Sequence, residues 1–440
     1  MPKKLNVFVL GLTDFQRRSL ATVPHAERYA FHALLSYDEA VQEHAGFEDL
    51  LRRARQQLER FAGSVDAILC HWDFPSSCLA PVLCEEYGLP GPSLSSVLKC
   101  EHKYWARLEQ SRVVSPHVPR FVAVDPFDIS AVKRLEQDLG YPFWLKPIKG
   151  FSSMLGFRID RRSQLEEALA RTRHAIGILG HAFNEALARV DMPAEVAGVG
   201  GLHCIAESIV KGVQAAPEGH VHHGQMHVHG VLDMVRDRNR KSFSRLQYPS
   251  RLPQGVQSAM SEVSRKVLRE VGFDNSCFNA EFMWDRTRDR LWLIEVNTRM
   301  SQSHAPLFAK VDGASNHAIA LDLALGRKPS FPQRQGRYPM AGKFWLNHYG
   351  DAVVERVPSQ AELRELEQRL PGDPEVEVSV HAGQRLSELP NQDVYRYVVA
   401  ELYLGARHPR DLLYRYRQCV AGLDLRFADI QPSSTARNAG

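Results

Sequence analysis

Residues 278–299 read FNAEFMWDRTRDRLWLIEVNTR and hold the most informative pattern in the chain. Two apolar and aromatic runs, 278–284 and 291–297, flank a polar turn, and this arrangement predicts a β-hairpin. Each predicted strand carries a carboxylate, Glu281 or Glu295, among Phe, Trp, Ile and Val residues. Because side chains alternate between the two faces of a strand, Glu295 shares its face with Asn297.

The predicted hairpin can therefore bring two carboxylates and an amide oxygen together. Such a set of hard oxygen ligands suits Mg²⁺, which leaves its other positions to water and substrate phosphates. Glu281, Glu295 and Asn297 are thus candidate metal ligands, and Arg299 just beyond them can neutralise phosphate charge. The alternative is a hairpin with solvated acids. It is disfavoured because an unpaired carboxylate among large apolar side chains is energetically costly.

The composition is that of a globular protein with room for about three domains in 440 residues. A net charge of +4 is small for this length and argues against nucleic acid as the main partner. The seven cysteines are odd in number and scattered, so we expect reduced thiols rather than a disulfide framework. No signal peptide or membrane-spanning run is recognisable, so the sequence predicts a cytoplasmic protein without a membrane partner.

A second group of residues surrounds Lys146, which ends an apolar strand. The loop that follows, 147–156, reads PIKGFSSMLG and offers backbone N–H groups and hydroxyls to phosphate oxygens. A polar surface turn would look similar, so this motif is weak when taken alone. Near the N-terminus, strands at 5–10 and 66–70 alternate with helices and predict a small parallel sheet. Residues 11–14 and 71–73 would then form the rim of a pocket, although ordinary chain turns explain them about as well.

The order of these parts resembles the ATP-grasp superfamily over roughly residues 1–320. Lys103 lies on a helix, Lys146 precedes the Ser/Gly loop, Glu207 lies on a strand, and Glu281 precedes Glu295-x-Asn297. Within the superfamily, the chain looks most like the branch of amino-acid ligases and biotin carboxylases. The resemblance implies a mixed α/β and α+β protein, an ATP-grasp fold preceded by a Rossmann-like domain. The implied parts are an N-terminal domain (1–98), a small lid subdomain with hinge (99–210), a large subdomain with the metal site (211–340), a C-terminal α+β region (341–430) and a tail (431–440).

The resemblance also implies a role for each matching residue. The phosphates of ATP would be held by Lys103 and Lys146, under a lid formed by Ser152, Ser153 and Gly156. Adenine would lie at Glu207 and Val210, with Gln214 where the superfamily usually has a ribose-binding carboxylate. Glu281, Glu295 and Asn297 would bind two Mg²⁺ ions, for which Mn²⁺ can substitute. Arg299 and Lys146 would be catalytic, and His304 and Arg236 are candidates for contact with the substrate.

The predicted activity is an ATP-dependent ligase that joins an amino acid or similar small acid to an amine. It would proceed through an acyl phosphate and release ADP and phosphate. Two alternatives stay open: an ATP-grasp carboxylase that uses carboxyphosphate, and a non-catalytic nucleotide-binding regulator. The expected partners are small carboxylates and amines, and a homodimer is compatible with the resemblance. The histidines between 220 and 229 fit a solvated or substrate-facing strand better than a zinc site.

Overall fold

The structure is a computed structural model, and it describes residues 3–150, 155–237, 242–389 and 396–429. The N-terminal part is a three-stranded parallel sheet in the order β2-β1-β3 with helices packed against it. Its elements are β1 (Leu5–Leu10), α1 (Asp14–Leu20), β2 (Tyr29–Leu34), α2 (Phe47–Glu59), β3 (Ala67–Leu69), α3 (Ser76–Glu86) and α4 (Leu94–Glu101). The segments after β1 and β3, which the sequence predicted as a pocket rim, contact the loop 299–304: Gln16 bonds Gln302, and Asp73 pairs with Arg299.

The lid subdomain is a four-stranded sheet in the order β4-β7-β5-β6 with its own apolar core. Its segment of the chain comprises α5 (Lys103–Val114), β4 (Phe121–Val124), α6 (Ala131–Asp138), β5 (Phe143–Pro147), β6 (Phe157–Ile159), α7 (Arg162–Ala175), α8 (Gly177–Leu187), α9 (Ala194–Ala197) and β7 (Cys204–Ser208). Two of these helices, α5 and α8, pack outside the four-stranded sheet. The buried side chains of α5 and α8, such as Trp105 and Phe183, pack into the core that α2 and α3 share with the larger sheet.

The larger sheet has eight strands in the order β12-β11-β8-β9-β10-β13-β16-β15. The elements of its first half are β8 (Val213–His222), β9 (Gln225–Arg236), β10 (Phe243–Tyr248), α10 (Gln254–Val271), β11 (Ser276–Asp285), β12 (Arg290–Asn297), α11 (Ala305–Asp312) and α12 (Asn316–Ala324). One face is covered by α10, whose Met260, Val263 and Val267 lie in the main core. On the other face, Leu307 and Phe308 of α11 pack near β9 and β10.

The C-terminal region adds three strands to this sheet, and its other two strands, β14 and β17, form a separate two-stranded sheet. Its elements are β13 (Met340–His348), β14 (Ala352–Arg356), α13 (Gln360–Arg369), β15 (Glu375–Val378), β16 (Tyr397–Ala406), α14 (Pro409–Gly422) and β17 (Arg426–Asp429). Residues 341–344 of strand β13 pair antiparallel with residues 245–248 of β10. The expected division at residue 340 therefore falls at the start of a strand that is hydrogen-bonded to the preceding subdomain. Within the described ranges, no helix combines the length and apolar character needed to cross a bilayer.

Candidate active site

The predicted hairpin is present, and its register sets the acidic residues side by side. Strand β11 pairs antiparallel with β12 so that Glu281 lies opposite Glu295, and Asn279 lies opposite Asn297. The two amides are joined, because Asn297 Nδ2 donates to Asn279 Oδ1 at 3.0 Å. The three ligand candidates, Glu281, Glu295 and Asn297, therefore lie at one end of the hairpin, and all three are partly exposed. The arrangement presents two carboxylates and an amide to a common space.

The electrostatics of the two carboxylates favour a bound cation. Burial and then the charge of Glu295 raise the pKa of Glu281 to about 8. Gln214 Nε2 donates to Glu281 Oε2 at 2.7 Å, and Arg236 Nη2 donates to Gln214 Oε1 at 2.9 Å. These contacts do not offset the repulsion between the acids. A divalent cation would do so, and the hard oxygen donors fit Mg²⁺.

We expect Mg²⁺ binding to strengthen as pH rises, because the cation displaces the proton that Glu281 holds below pH 8. The ionised fraction of a group with that pKa increases by roughly 20-fold between pH 6.5 and 8.5, and the apparent association constant should follow it. Calorimetric titration of the ATP-free protein with Mg²⁺ at both pH values measures the change. Glu281→Gln should bind more weakly and lose the pH dependence. Equal affinity of the wild-type protein at both pH values would contradict the assignment.

The two lysines predicted to bind phosphate lie near the end of β5 and at the start of α5. Lys146, at the end of β5, forms an ion pair with Glu207 at 2.7 Å. Lys103 begins α5, and its Nζ donates to the carbonyl of Gly150 at 2.8 Å. Burial and the neighbouring charge of Lys149 lower the pKa of Lys103 to about 7. An anionic phosphate beside this ammonium would raise its pKa and favour the charged form.

Glu207 is occupied on both carboxylate oxygens. Besides Lys146, it accepts from Arg107 Nε at 2.6 Å. Burial favours the neutral acid, but Arg107 and Lys146 together lower the pKa of Glu207 to about 2. Its carboxylate thus holds two cations, one on each oxygen, and its predicted contact with adenine stays a prediction. The nearby backbone is a second candidate for that contact, including half-buried Val210 after β7.

Arg107 links β7 of the four-stranded sheet to strand β12, and the sequence analysis did not single it out. It is 3% exposed and also donates to the carbonyls of Leu293 and Ile294 on β12, at 2.9 and 2.7 Å. Ala106 and Leu108 beside it in the chain are apolar, but Lys103, Gln110 and Ser111, its neighbours on the helix surface, are polar, so no local signal marked it as buried. An arginine is seldom buried unless it is paired.

The phosphate loop itself is described only at its ends. Ser152 and Ser153, the predicted lid hydroxyls, lie outside the described residues, and Gly156 directly precedes β6. At the near end, Lys149 forms a buried ion pair with Glu101, whose Oε1 accepts from Thr298 Oγ1 at 3.3 Å. The pair Lys149–Glu101 therefore joins the start of the loop to the end of β12. Sequence reasoning missed both residues.

Arg299 lies beyond β12 and faces the N-terminal domain. Its Nε and Nη2 donate to the two carboxylate oxygens of Asp73 at 2.8 and 2.7 Å. Burial alone would raise the pKa of Asp73, but the guanidinium of Arg299 brings that pKa below its ordinary value. Asp73 follows β3, in the segment that the sequence placed at the pocket rim. The two domains thus meet at a charged pair whose arginine lies two residues beyond the candidate metal ligand Asn297.

His304 is placed beneath the site rather than in it. It is 3% exposed, and its Nδ1 bonds Glu218 Oε2. Glu218 is fully buried, and it also accepts from Asn316 Nδ2 and from the backbone N–H of Ser301. His304 and Glu218 therefore hold the loop that follows Arg299. The low exposure of His304 leaves its predicted contact with substrate without support.

The histidine-rich hairpin forms β8 and β9, turning at His223 and Gly224. His220 Nδ1 and His229 Nε2 share a hydrogen bond at 2.7 Å, and burial lowers the pKa of both rings. Among the residues that the structure describes, no group of three or more His, Cys, Asp or Glu side chains could hold a metal ion. A cavity of about 440 Å³ lies beside His229, against α10, and includes none of the predicted site residues.

Comparison with known proteins agrees with this architecture. Residues 233–330 match the family model described as carbamoyl-phosphate synthase L chain, ATP binding domain. This segment contains the whole β11–β12 hairpin and Arg299. A sequence search of curated proteins gives no significant match.

Solved structures match nearly the whole chain at low sequence identity. L-amino acid ligase from Bacillus licheniformis has a TM-score of 0.69 at 16% identity, over 98% of this chain and 100% of that one. Biotin carboxylase from Campylobacter jejuni, in complex with β,γ-ATP, has a TM-score of 0.63 at 14% identity, over 96% and 92%. Carboxyaminoimidazole ribonucleotide synthase from Aspergillus clavatus, complexed with ATP, has a TM-score of 0.65 at 15% identity, over 95% and 98%. Together with the family match over residues 233–330, this shared fold confirms the predicted ATP-grasp architecture.

Proposed function

We propose that the protein is an ATP-dependent carboxylate–amine ligase that joins an amino acid or similar small acid to an amine. The observation that carries this proposal is the convergence of three groups of residues. The carboxylates of Glu281 and Glu295 lie opposite each other. Lys103 lies near Lys146 and Glu295, whose charges both act on its ammonium group, and Arg299 lies two residues beyond Asn297. Together they supply what phosphoryl transfer needs, which is positioning and charge neutralisation.

Each residue has a part in that chemistry. A carboxylate is a poor acyl donor because its oxide does not leave, and transfer of the γ-phosphoryl group gives it a good leaving group. The ammonium groups of Lys103 and Lys146 would neutralise the phosphates, and Arg299 would orient the acyl carboxylate. Mg²⁺ bound to Glu281, Glu295 and Asn297 would supply charge neutralisation at the phosphates. An amine then displaces phosphate from the acyl phosphate, and no Ser or Cys nucleophile is required.

The ligase proposal is tested by phosphate release from ATP and Mg²⁺ with amino acids supplied singly and in pairs. We expect release that depends on a pair of substrates, with ADP as the nucleotide product. Separating ADP from AMP by chromatography checks the mechanism, since AMP with pyrophosphate would exclude an acyl phosphate. Mass spectrometry of the mixture identifies the amide.

The same assay separates the competing functions. Phosphate release that requires bicarbonate instead of an amino acid would favour the carboxylase, a chemistry that the fold shared with biotin carboxylase makes the natural second candidate. Binding of ATP without turnover under any of these conditions would favour a regulatory protein. Either result would overturn the ligase proposal.

A further inference from the structure

The side chain of Gln214 is bonded to a candidate metal ligand. Gln214 is the second residue of β8 and is 7% exposed. Its Nε2 donates to Glu281 Oε2 at 2.7 Å, and its Oε1 accepts from Arg236 Nη2 at 2.9 Å. Both ends of the amide are therefore engaged by protein groups. The resemblance implied a ribose contact for Gln214, and such a contact would compete with one of these two bonds.

The register of the large sheet places the three polar side chains in one line. In the pairing of β8 with β11, Gln214 lies opposite Met283, and Glu281 precedes Met283 by two residues on the same strand face. In the pairing of β8 with β9, Gln214 lies opposite Met234, and Arg236 follows two residues later. Long side chains at such diagonal positions are within reach of each other. The contacts therefore follow from strand pairing inside the sheet.

Arg236 fixes the direction in which the Gln214 amide points. A guanidinium group only donates hydrogen bonds, so it must face the amide oxygen. The NH₂ group is thereby directed at Glu281, where a donor stabilises an ionised carboxylate. The guanidinium lies over the ring of Phe243, 4.4 Å from the ring centroid, which holds it in place. Without Arg236, the amide would be free to turn and present its oxygen to the carboxylate.

The bond from Gln214 also determines how Glu281 can meet a cation. It occupies Oε2 and leaves Oε1 for Mg²⁺ on the strand opposite Glu295. Groups that hydrogen-bond to metal ligands orient them, and their loss typically weakens metal binding by about 10- to 100-fold. An ionised glutamate at position 214 could not donate to Glu281 and would add a third negative charge beside the two acids. An amide is therefore suited to this position by charge and by geometry.

We propose that Gln214 is a positioning residue for the metal ligand Glu281, and that Arg236 keeps the Gln214 amide in the required orientation. In this role Arg236 acts through Gln214. The inference rests on the metal site of the proposed function and deepens it, because it assigns Gln214 to the metal ligands and not to the ribose of the nucleotide.

The first test measures the Mg²⁺ affinity of the nucleotide-free protein by calorimetric titration at alkaline pH. Gln214→Leu removes both hydrogen bonds at similar side-chain size, and we expect the dissociation constant for Mg²⁺ to rise at least about tenfold. Arg236→Met should also raise it, because the amide is then free to turn, whereas Arg236→Lys keeps a donor and should stay close to wild type. Gln225→Leu changes an exposed glutamine at the start of β9 and is the matched control, with wild-type affinity expected.

A second measurement separates the metal role of Gln214 from a ribose role. The affinities of ATP and 3′-deoxy-ATP in saturating Mg²⁺ are compared between the wild-type protein and Gln214→Leu. We expect the ratio of the two affinities to be the same in both proteins. A ratio that moves towards one in Gln214→Leu would assign the residue to ribose and overturn the inference. Mg²⁺ affinity equal to wild type in Gln214→Leu would overturn it as well.

The outcomes also distinguish this inference from the proposed function. If Gln214→Leu does not fold, the comparison of Arg236→Met with Arg236→Lys decides the question, and equal Mg²⁺ affinity in these two variants contradicts the inference. These results leave the ligase proposal intact, since that proposal depends on turnover. A wild-type protein that binds no Mg²⁺ would remove the metal site, and the role of Gln214 with it.

Discussion

Glu295→Gln is expected to reduce Mg²⁺-dependent ATP turnover at least about a hundredfold, because it removes one of the two carboxylates that face each other across β11 and β12. The amide is nearly the same size, so the hairpin should keep its register. Removal of one charge also relieves the repulsion that helps raise the pKa of Glu281. The metal-free variant should therefore unfold at the same temperature as the wild-type protein or higher. Steady-state ADP production and a thermal unfolding scan measure the two effects.

The control for Glu295→Gln is Glu270→Gln, which changes an exposed glutamate on α10. It should leave both turnover and unfolding temperature unchanged. Turnover near the wild-type rate for Glu295→Gln with Mg²⁺ would remove Glu295 from the metal site. A large fall in unfolding temperature would instead show that the residue is structural.

Arg107→Met should lower the free energy of unfolding by about 3–5 kcal/mol, the usual effect of breaking a buried ion pair from one side. The change leaves Glu207 with Lys146 alone and leaves the carbonyls of Leu293 and Ile294 without their donor. Because Glu207 also positions Lys146, ATP binding should weaken as well. Urea denaturation and calorimetric titration with ATP measure the two consequences.

Arg265→Met is the matched control for stability, since Arg265 is exposed and pairs with Glu262 one turn earlier in α10. Surface pairs of this kind contribute at most about 1 kcal/mol. If Arg107→Met were no more destabilising than Arg265→Met, the proposed link between lid and hairpin would carry little energy. ATP affinity equal to wild type in Arg107→Met would separate that link from nucleotide binding.

The parts of the site that could be predicted from sequence are formed by residues close together in the chain. The hairpin at 278–299 has apolar strands around a polar turn, so its two strands follow from local pattern. The irregularity between Glu281 and Phe282 that sets Glu281 opposite Glu295 does not. The alternating strands and helices of the N-terminal region likewise predicted the parallel sheet and its pocket rim. The superfamily resemblance, which depends on the order of such stretches, was confirmed by the fold.

The parts that could not be predicted depend on pairs far apart in the chain. Asp73 and Arg299 are separated by 226 positions, and Arg107 and Glu207 by 100. No local sequence pattern indicates which acidic residue will pair with which basic residue from a distant part of the chain. His304 illustrates the reverse error. Its position after β12 suggested a substrate contact, but the His304 ring is buried and hydrogen-bonded to Glu218 on strand β8.

The pairing of β13 with β10 also limits how this molecule can be divided. A protein shortened to end near residue 340 would expose the backbone donors and acceptors of β10 that Ala341 to Phe344 now satisfy. Bare strand edges of this kind recruit other chains and promote aggregation. The residues after 340 therefore cannot be removed without exposing the edge of β10. Chimeras between relatives should exchange the whole eight-stranded sheet or none of it.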